Sequence, residues 1–128
     1  MRMTRRNRRP RSDLELHVMV DGQEVIGPVQ VMLLEAIRST GSIAAAQRQI
    51  GASYAHVWKL VAAMNEAFSP PLVEPIRGGA RGGGATLTEQ GHKVLDSFRR
   101  LEDLSKTEGH AELLVISRAA SHAEARQQ

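Results

Sequence analysis

The chain of 128 residues has no cysteine, and aromatic residues make up only 3% of it. The lack of cysteine excludes disulfides, thiolate metal sites and cysteine nucleophiles. With so few aromatic side chains, the core must consist of Leu, Ile, Val, Ala and Met, which suits helices packed together. No apolar run approaches the ~18 residues of a membrane span, and no signal-peptide core follows the polar start. We therefore expect one compact domain in the cytoplasm.

Positive charge is concentrated at the N terminus. Six of the first eleven residues are arginine, and the sequence pI is about 9.9 although the formal net charge is only +3. These arginines have no apolar partners to bury, so residues 1–12 are predicted to form a disordered arm. Arg9 and Arg11 are its candidate contacts with phosphates or a minor groove. That the arm is only a solubilising tail is an alternative interpretation, to which we give the same weight.

The first half of the chain predicts a hairpin followed by a helix. Residues 14–20 alternate apolar and polar side chains before Asp21-Gly22, and Val25-Ile26 follow, which is typical of a β-hairpin. Gly27-Pro28 ends the extended stretch, since proline fits the first turn of a helix. Apolar residues at helical spacing then predict a first helix over 28–39.

Two further helices are predicted on either side of Gly51. Ser42 is a suitable N-cap for a helix over 43–50, and Ser53 is a suitable N-cap for the next one. The third helix has an apolar stripe made of Val57, Leu60, Val61, Met64 and Phe68. Because so short a glycine turn forces the two helices to cross steeply, the pattern predicts a helix-turn-helix.

A small β wing and a long helix complete the predicted domain. Residues 72–74 and 85–87 are predicted strands joined by a glycine-rich loop, and Pro75 is expected to keep the pairing short. Thr88 caps a fourth helix that ends near Gly109. Its apolar face is wider than one domain requires, which predicts dimerisation. The run Leu113–Ile116 is predicted to add a strand or to extend the dimer contact.

The predicted fold class is therefore mainly α with a small β wing, a winged helix-turn-helix with a long C-terminal helix for dimerisation. The expected organisation is a disordered arm over 1–12, the DNA-binding domain over 13–108 and a partly flexible tail over 109–128.

Several short motifs resemble the N-terminal DNA-binding domain of the ModE family of molybdate-responsive transcription regulators. They are Gly41-Ser42-Ile43, Gly51 to Tyr54, Trp58, Met64-Asn65, Leu72-Val73-Glu74, the glycines of the loop, and Leu87-Thr88 with Gly91. The resemblance covers roughly residues 14–105, and the chain is more distantly similar to LysR-type regulators. It implies a winged helix-turn-helix whose long helices pair two subunits. Two residues depart from the family pattern. The family usually has a small residue where this chain has Gln47, and it often has Arg where this chain has Pro75.

The ModE family also implies a C-terminal pair of Mop-type domains that bind molybdate. The chain ends too soon for these domains, so we expect a single-domain member without a molybdate site. Its effector stays unknown.

The third helix should present a bare face to DNA. At about 100° per residue, Ala55, Lys59 and Ala62 point away from the apolar stripe, with His56 and Trp58 on the flanks. The candidate DNA contacts in this region are Ser42, Ser53, Tyr54, Ala55, His56, Trp58 and Lys59. Packing is the favoured alternative for Trp58, and a solvated charge is the alternative for Lys59.

Arg77 and Arg81 flank glycines in the wing loop and are candidate phosphate contacts. The alternative is that the glycines only form a flexible tip. The loop does not fit a nucleotide site, because it lacks the Gly-Lys-Ser/Thr ending of a P-loop.

No enzyme chemistry is indicated. The histidines are far apart and share no ligand spacing, and neither a catalytic trio nor a cofactor motif is present; they are His17, His56, His92, His110 and His122. We therefore expect a homodimeric transcription regulator that binds a pseudo-palindromic operator in double-stranded DNA. The alternatives are a protein-interaction or assembly module and a non-specific architectural DNA-binding protein.

Overall fold

A computed structural model describes residues 12–76 and 84–126, with side chains up to residue 120. It divides into one unit over Glu15–Leu101 and another that includes residues 12–14 and 102–126. The elements are β1 Val18–Val20, β2 Gln23–Ile26, α1 Pro28–Thr40, α2 Ile43–Ile50, α3 Tyr54–Ala67, β3 Val73–Ile76, β4 Gly84–Leu87, α4 Glu89–Glu108 and α5 His110–Arg126. The predicted mainly helical fold with small β-hairpins is confirmed.

The N-terminal hairpin, β1 with β2, turns at Asp21-Gly22. Both residues have positive φ angles, 51° and 80°, which is the conformation that a two-residue hairpin turn requires. The pairing register shifts between Val18 and Met19. The hairpin then leads through Gly27 directly into α1, as predicted.

α1 is the central helix of the first unit. Five of its side chains are buried, and all five are aliphatic: Val31, Leu33, Leu34, Ala36 and Ile37. They belong to one core cluster with buried residues from α2, α3, the strands β3 and β4, and α4. Phe98 is the one aromatic residue among the core residues described, which confirms a core of aliphatic side chains.

Ion pairs join α1 to α4 at the surface. The Arg38 guanidinium donates to a carboxylate oxygen of Asp96 at 2.7 Å, and Arg99 donates to Glu35 at 3.1 Å. The Arg38 hydrogen bond holds the pKa of the Asp96 carboxyl below its ordinary value. Since these side chains are partly exposed, the pairs orient the helices more than they stabilise them.

Two segments differ from the sequence-based expectations. β3 continues through Pro75 to Ile76, with Pro75 opposite Ala85, because a strand that pairs on one side only can accept a residue without an N–H. The run Leu113–Ile116 lies within α5, so the predicted strand there is wrong. None of the helices in the described ranges is long and apolar enough to cross a membrane.

Candidate nucleic-acid interface

The turn between α2 and α3 is built from local backbone and capping interactions. Gly51 ends α2 with φ 73°, in the left-handed region that glycine adopts without strain, and its N–H donates to the Gln47 carbonyl at 2.9 Å. The Ser53 hydroxyl oxygen then accepts from the His56 N–H at 3.1 Å, which caps α3. The predicted helix-turn-helix and the Ser53 cap are therefore confirmed.

Ser42 caps α2 in the same way. Its hydroxyl oxygen accepts from the Ala45 N–H at 3.1 Å, and the residue is half-buried. Ser42 also forms an isolated β-bridge with Gly84, the first residue of β4. This position ties the turn between α1 and α2 to the wing.

One side of α3 is bare. Ala55, Lys59 and Ala62 are exposed and together form what we call the recognition face, while Val57 and Val61 are buried on the opposite side. Small side chains on this face leave the helix backbone accessible to a partner as large as duplex DNA. Thus the structure has the predicted division of α3 into a core side and an open side.

The aromatic residues of α3 differ in exposure. The Tyr54 side chain is 45% exposed, whereas Trp58 is partly buried and packs against the core. Their rings meet edge to face, with centroids 6.2 Å apart. Trp58 therefore supports the position of Tyr54, and Tyr54 is the more accessible of the two rings.

Charge is unevenly distributed around α3. His56 is exposed and, together with Glu15, His17 and Glu24 of the N-terminal region, lines a surface cavity of about 370 Å³. The His17 imidazole is hydrogen-bonded to the Glu24 carboxylate, and this hydrogen bond raises the pKa of His17 above its ordinary value of 6.5. The carboxylates on this side oppose the approach of phosphates.

The last turn of α3 carries another negative charge. Glu66 is exposed and lies seven residues, or two helical turns, after Lys59. Lys59 therefore occupies the more favourable end of the face for an anionic partner.

The wing is β3, β4 and the loop over 77–83 that joins them. β3 pairs with β4 antiparallel from Val73↔Leu87 to Ile76↔Gly84. The Ala85 N–H donates to the Gly41 carbonyl at 3.2 Å, which fixes β4 against the turn between α1 and α2. The base of the wing is thus placed beside the helix-turn-helix.

Asn65 links α3 to the wing. Its side-chain amide donates to the Val73 carbonyl at 3.0 Å, and its oxygen accepts from the N–H groups of Leu72 and Val73 at 3.0 and 3.1 Å. Sequence reasoning did not identify this role, because its partners are backbone groups that no side-chain pattern identifies. Its one signal was its place in the Met64-Asn65 motif of the resemblance.

Four of the predicted contact residues lie outside the described ranges. They are Arg9, Arg11, Arg77 and Arg81. Arg77 and Arg81 belong to the loop between Ile76 and Gly84. These two residues end the strands of the wing and pair with each other. Within the described part of the chain, no group of three or more His, Cys, Asp or Glu residues could hold a metal ion.

Comparisons with known proteins agree with this geometry. Molybdenum-pterin-binding protein MopA of Rhodobacter capsulatus is 42% identical over 81 residues, 63% of this chain and 31% of that protein. The DNA-binding transcriptional dual regulator ModE of Escherichia coli K12 is 33% identical over 79 residues, 62% of this chain and 30% of that protein. The chain thus spans about a third of the length of these relatives.

Solved structures show the same fold. The DNA-binding domain of CbnR in complex with DNA superposes with a TM-score of 0.53 at 26% identity, covering 73% of this chain and 95% of that one. The model of bacterial regulatory helix-turn-helix proteins of the lysR family matches residues 29–92, half of the chain. The chain therefore belongs to the lysR family of bacterial regulatory helix-turn-helix proteins, and it carries a ModE-like winged helix-turn-helix DNA-binding domain.

Proposed function

We propose that the protein is a homodimeric transcription regulator in which α3 reads the major groove of one half-site of a pseudo-palindromic operator. The observation that carries this proposal is the exposed recognition face, Ala55, Lys59 and Ala62, on a capped helix whose neighbouring wing is held in place. A regulator of chromosomal genes acts in the cytoplasm, and we place the protein there. We assign it no catalytic role and no cofactor.

Contacts are expected from the first half of α3. The Ser53 hydroxyl keeps its own proton available for a phosphate while its oxygen caps the helix. Tyr54 can donate to a phosphate, Lys59 to a base edge or a phosphate, and the small Ala55 permits close approach. His56 faces the acidic side and Trp58 packs inward, so both are weaker candidates.

The wing and the arm would add phosphate contacts. We propose that Arg77 and Arg81 bind the DNA backbone beside the half-site, and that Arg9 and Arg11 do so from the arm. Ser42 would act through its cap and its bridge to β4, and its hydroxyl proton would remain available for a phosphate. Because every arginine or lysine on a phosphate releases a counterion, the affinity should fall steeply with salt.

We propose that α4, together with α1, forms the dimer. Leu101 of α4 and Met32 of α1 are 46% and 52% exposed, large fractions for apolar side chains. Leu101 also lines an apolar groove of about 290 Å³ between the N-terminal hairpin and α4, with Val20, Val94 and Phe98 among its other lining residues. A two-fold axis through such a surface would present two copies of α3 to successive major grooves.

The names of several relatives refer to molybdenum, but we propose no molybdate site in this chain. The similarity covers about a third of those relatives.

The first test is selection of bound duplexes from a random pool with the full-length protein. We expect an inverted repeat with a specificity ratio of ~10³ or more over random DNA. A ratio near one would instead support the architectural DNA-binding alternative, and no salt-sensitive duplex binding would support an assembly module.

The second test addresses the recognition face by gel-shift titration. Lys59→Ala should weaken binding to the selected duplex by about 5- to 100-fold, the range for one lost base or phosphate contact. Ala62→Glu should abolish specific binding, because it places a negative charge on this face. Lys106→Ala at the end of α4 and Ala111→Glu on α5 are the matched controls at exposed helical positions outside the apolar groove. Unchanged affinity in both recognition-face variants would refute the assignment.

A further inference from the structure

The link between Asn65 and the wing is more than a local turn contact. Leu72 and Val73 are 0% and 2% exposed, so water cannot replace a hydrogen-bond partner of their backbone. The Leu72 carbonyl already accepts from the Thr88 N–H at 2.9 Å. The Asn65 side chain binds the remaining polar groups of both residues, namely two N–H groups and the Val73 carbonyl.

Val73 is also the residue at which β3 begins. A strand held at its first residue by a side chain of α3 has its direction set relative to α3. At the other side of the wing, β4 is held by the Gly41 carbonyl and by the bridge between Ser42 and Gly84. The two strands are therefore tied separately, one to α3 and one to the turn before α2.

We propose that Asn65 is a positioning residue for DNA binding, which orients the wing so that the wing and α3 contact one duplex at the same time. This inference rests on the proposed function and assigns Asn65 no contact with DNA. It follows that the loss of the Asn65 side chain should act on affinity through the wing and leave the contacts of α3 in place.

A double-mutant cycle distinguishes positioning from general destabilisation. The variants are Asn65→Ala, the wing variant Arg77→Ala/Arg81→Ala, and their combination, all titrated with the selected duplex at a temperature at which each is folded. Val31→Ala, a truncation of a buried α1 residue, serves as the control for lost stability. Hydroxyl-radical footprints are recorded for the same set.

The expected result is a loss of about tenfold for Asn65→Ala, comparable to one lost charge-assisted hydrogen bond to a phosphate. In the protein that already carries Arg77→Ala/Arg81→Ala, Asn65→Ala should lower the affinity only about twofold or less, because the wing no longer contacts DNA. The footprint of Asn65→Ala should lose protection beside the half-site and keep it at the centre. Val31→Ala should bind as the unchanged protein does.

Three results would overturn the proposal. They are equal losses for Asn65→Ala in both backgrounds, unchanged affinity of Asn65→Ala, and unchanged affinity of the wing variant. If the wing variant binds normally but Lys59→Ala lowers the affinity, the proposed function stands and only the role of the wing is refuted. If Lys59→Ala and Ala62→Glu also bind normally, the proposed function itself fails.

Discussion

Gly91 in the first turn of α4 is a position where one added methyl group should destabilise the protein. A Cβ atom built there would lie 2.2 Å from the Leu72 carbonyl oxygen and 3.2 Å from the Leu87 Cβ. The first distance is far below a van der Waals contact, and the Leu72 carbonyl oxygen belongs to buried backbone. Gly91→Ala therefore requires that α4 or the Leu72 carbonyl move.

Gly91→Ala changes the free energy of unfolding in three ways, of which one is stabilising and two are destabilising. Alanine in place of glycine in a helix should stabilise by about 0.5–1 kcal/mol. Overpacking should cost about 1–3 kcal/mol. A displaced Leu72 carbonyl would also weaken its hydrogen bond with the Thr88 N–H, 2.9 Å long, at about 0.5–1.5 kcal/mol. The costs exceed the gain, and we expect a net loss of about 2 kcal/mol.

Thermal unfolding at fixed protein concentration measures this loss. The Tm of Gly91→Ala should fall by on the order of 8 °C, as expected for this loss in a domain of this size. Lys106→Ala is the control, because Lys106 is exposed on the same helix outside the apolar groove, and its replacement should not lower the Tm. A Tm for Gly91→Ala equal to or above that of the unchanged protein would refute the close packing of α4 against the wing strand.

Two further predictions concern the cap of α3 and the N-terminal hairpin. Ser53→Ala should lower the free energy of unfolding, measured by urea denaturation, by about 1 kcal/mol. Ser53→Asp should leave it unchanged, because an aspartate can still cap the helix. An equal loss of stability in both variants would contradict the role of Ser53 as a cap. His17 should titrate above 6.5 by NMR, and Glu24→Gln should lower its pKa because the hydrogen bond with Glu24 raises it. The His17 contribution to stability is present below the pKa of the unfolded chain and is lost as pH rises through the folded value. A His17 pKa that Glu24→Gln leaves unchanged would speak against this pair.

The helix-turn-helix could be predicted closely because its signals are local. α2 has the predicted bounds, Ile43–Ile50, since Ser42 supplies the cap and Gly51 adopts the left-handed conformation that ends the helix. The core and open sides of α3 likewise follow from helical periodicity alone. Lys59 and Ala55 are therefore exposed as expected, and their contacts with DNA stay predictions.

The contacts that fix the wing could not be predicted in the same way. Asn65 and Gly91 both act on the backbone of Leu72, which follows Asn65 by seven residues and precedes Gly91 by nineteen. Nothing in the residue types identifies such pairs before the fold is known. An asparagine inside a helix and a glycine near a helix start each have several common explanations.

α5 shows a different reason for a wrong prediction. Four consecutive apolar residues, Leu113–Ile116, have no periodicity of their own, and such a run fits either a strand or a helix. In the structure Leu113 and Leu114 are half-buried, while Val115 and Ile116 are 68% and 66% exposed. A helix distributes consecutive residues around its axis, so the run cannot form one continuous apolar surface.

The distribution of charge suggests how α3 would lie in a major groove. Glu15 and Glu24 line the cavity that His56 faces, and Glu66 occupies the last turn of the helix. Phosphates are repelled at both places, whereas the capped start of α3 attracts them through its free N–H groups. An orientation with Ser53 close to a backbone and Glu66 directed out of the groove satisfies both conditions. Glu66→Lys should then strengthen binding without sequence preference and add about one unit to the salt slope, because the new cation would reach a phosphate. If Glu66→Lys weakened specific binding instead, the C-terminal half of α3 would have to lie deep in the groove, and the orientation argued from charge would be wrong.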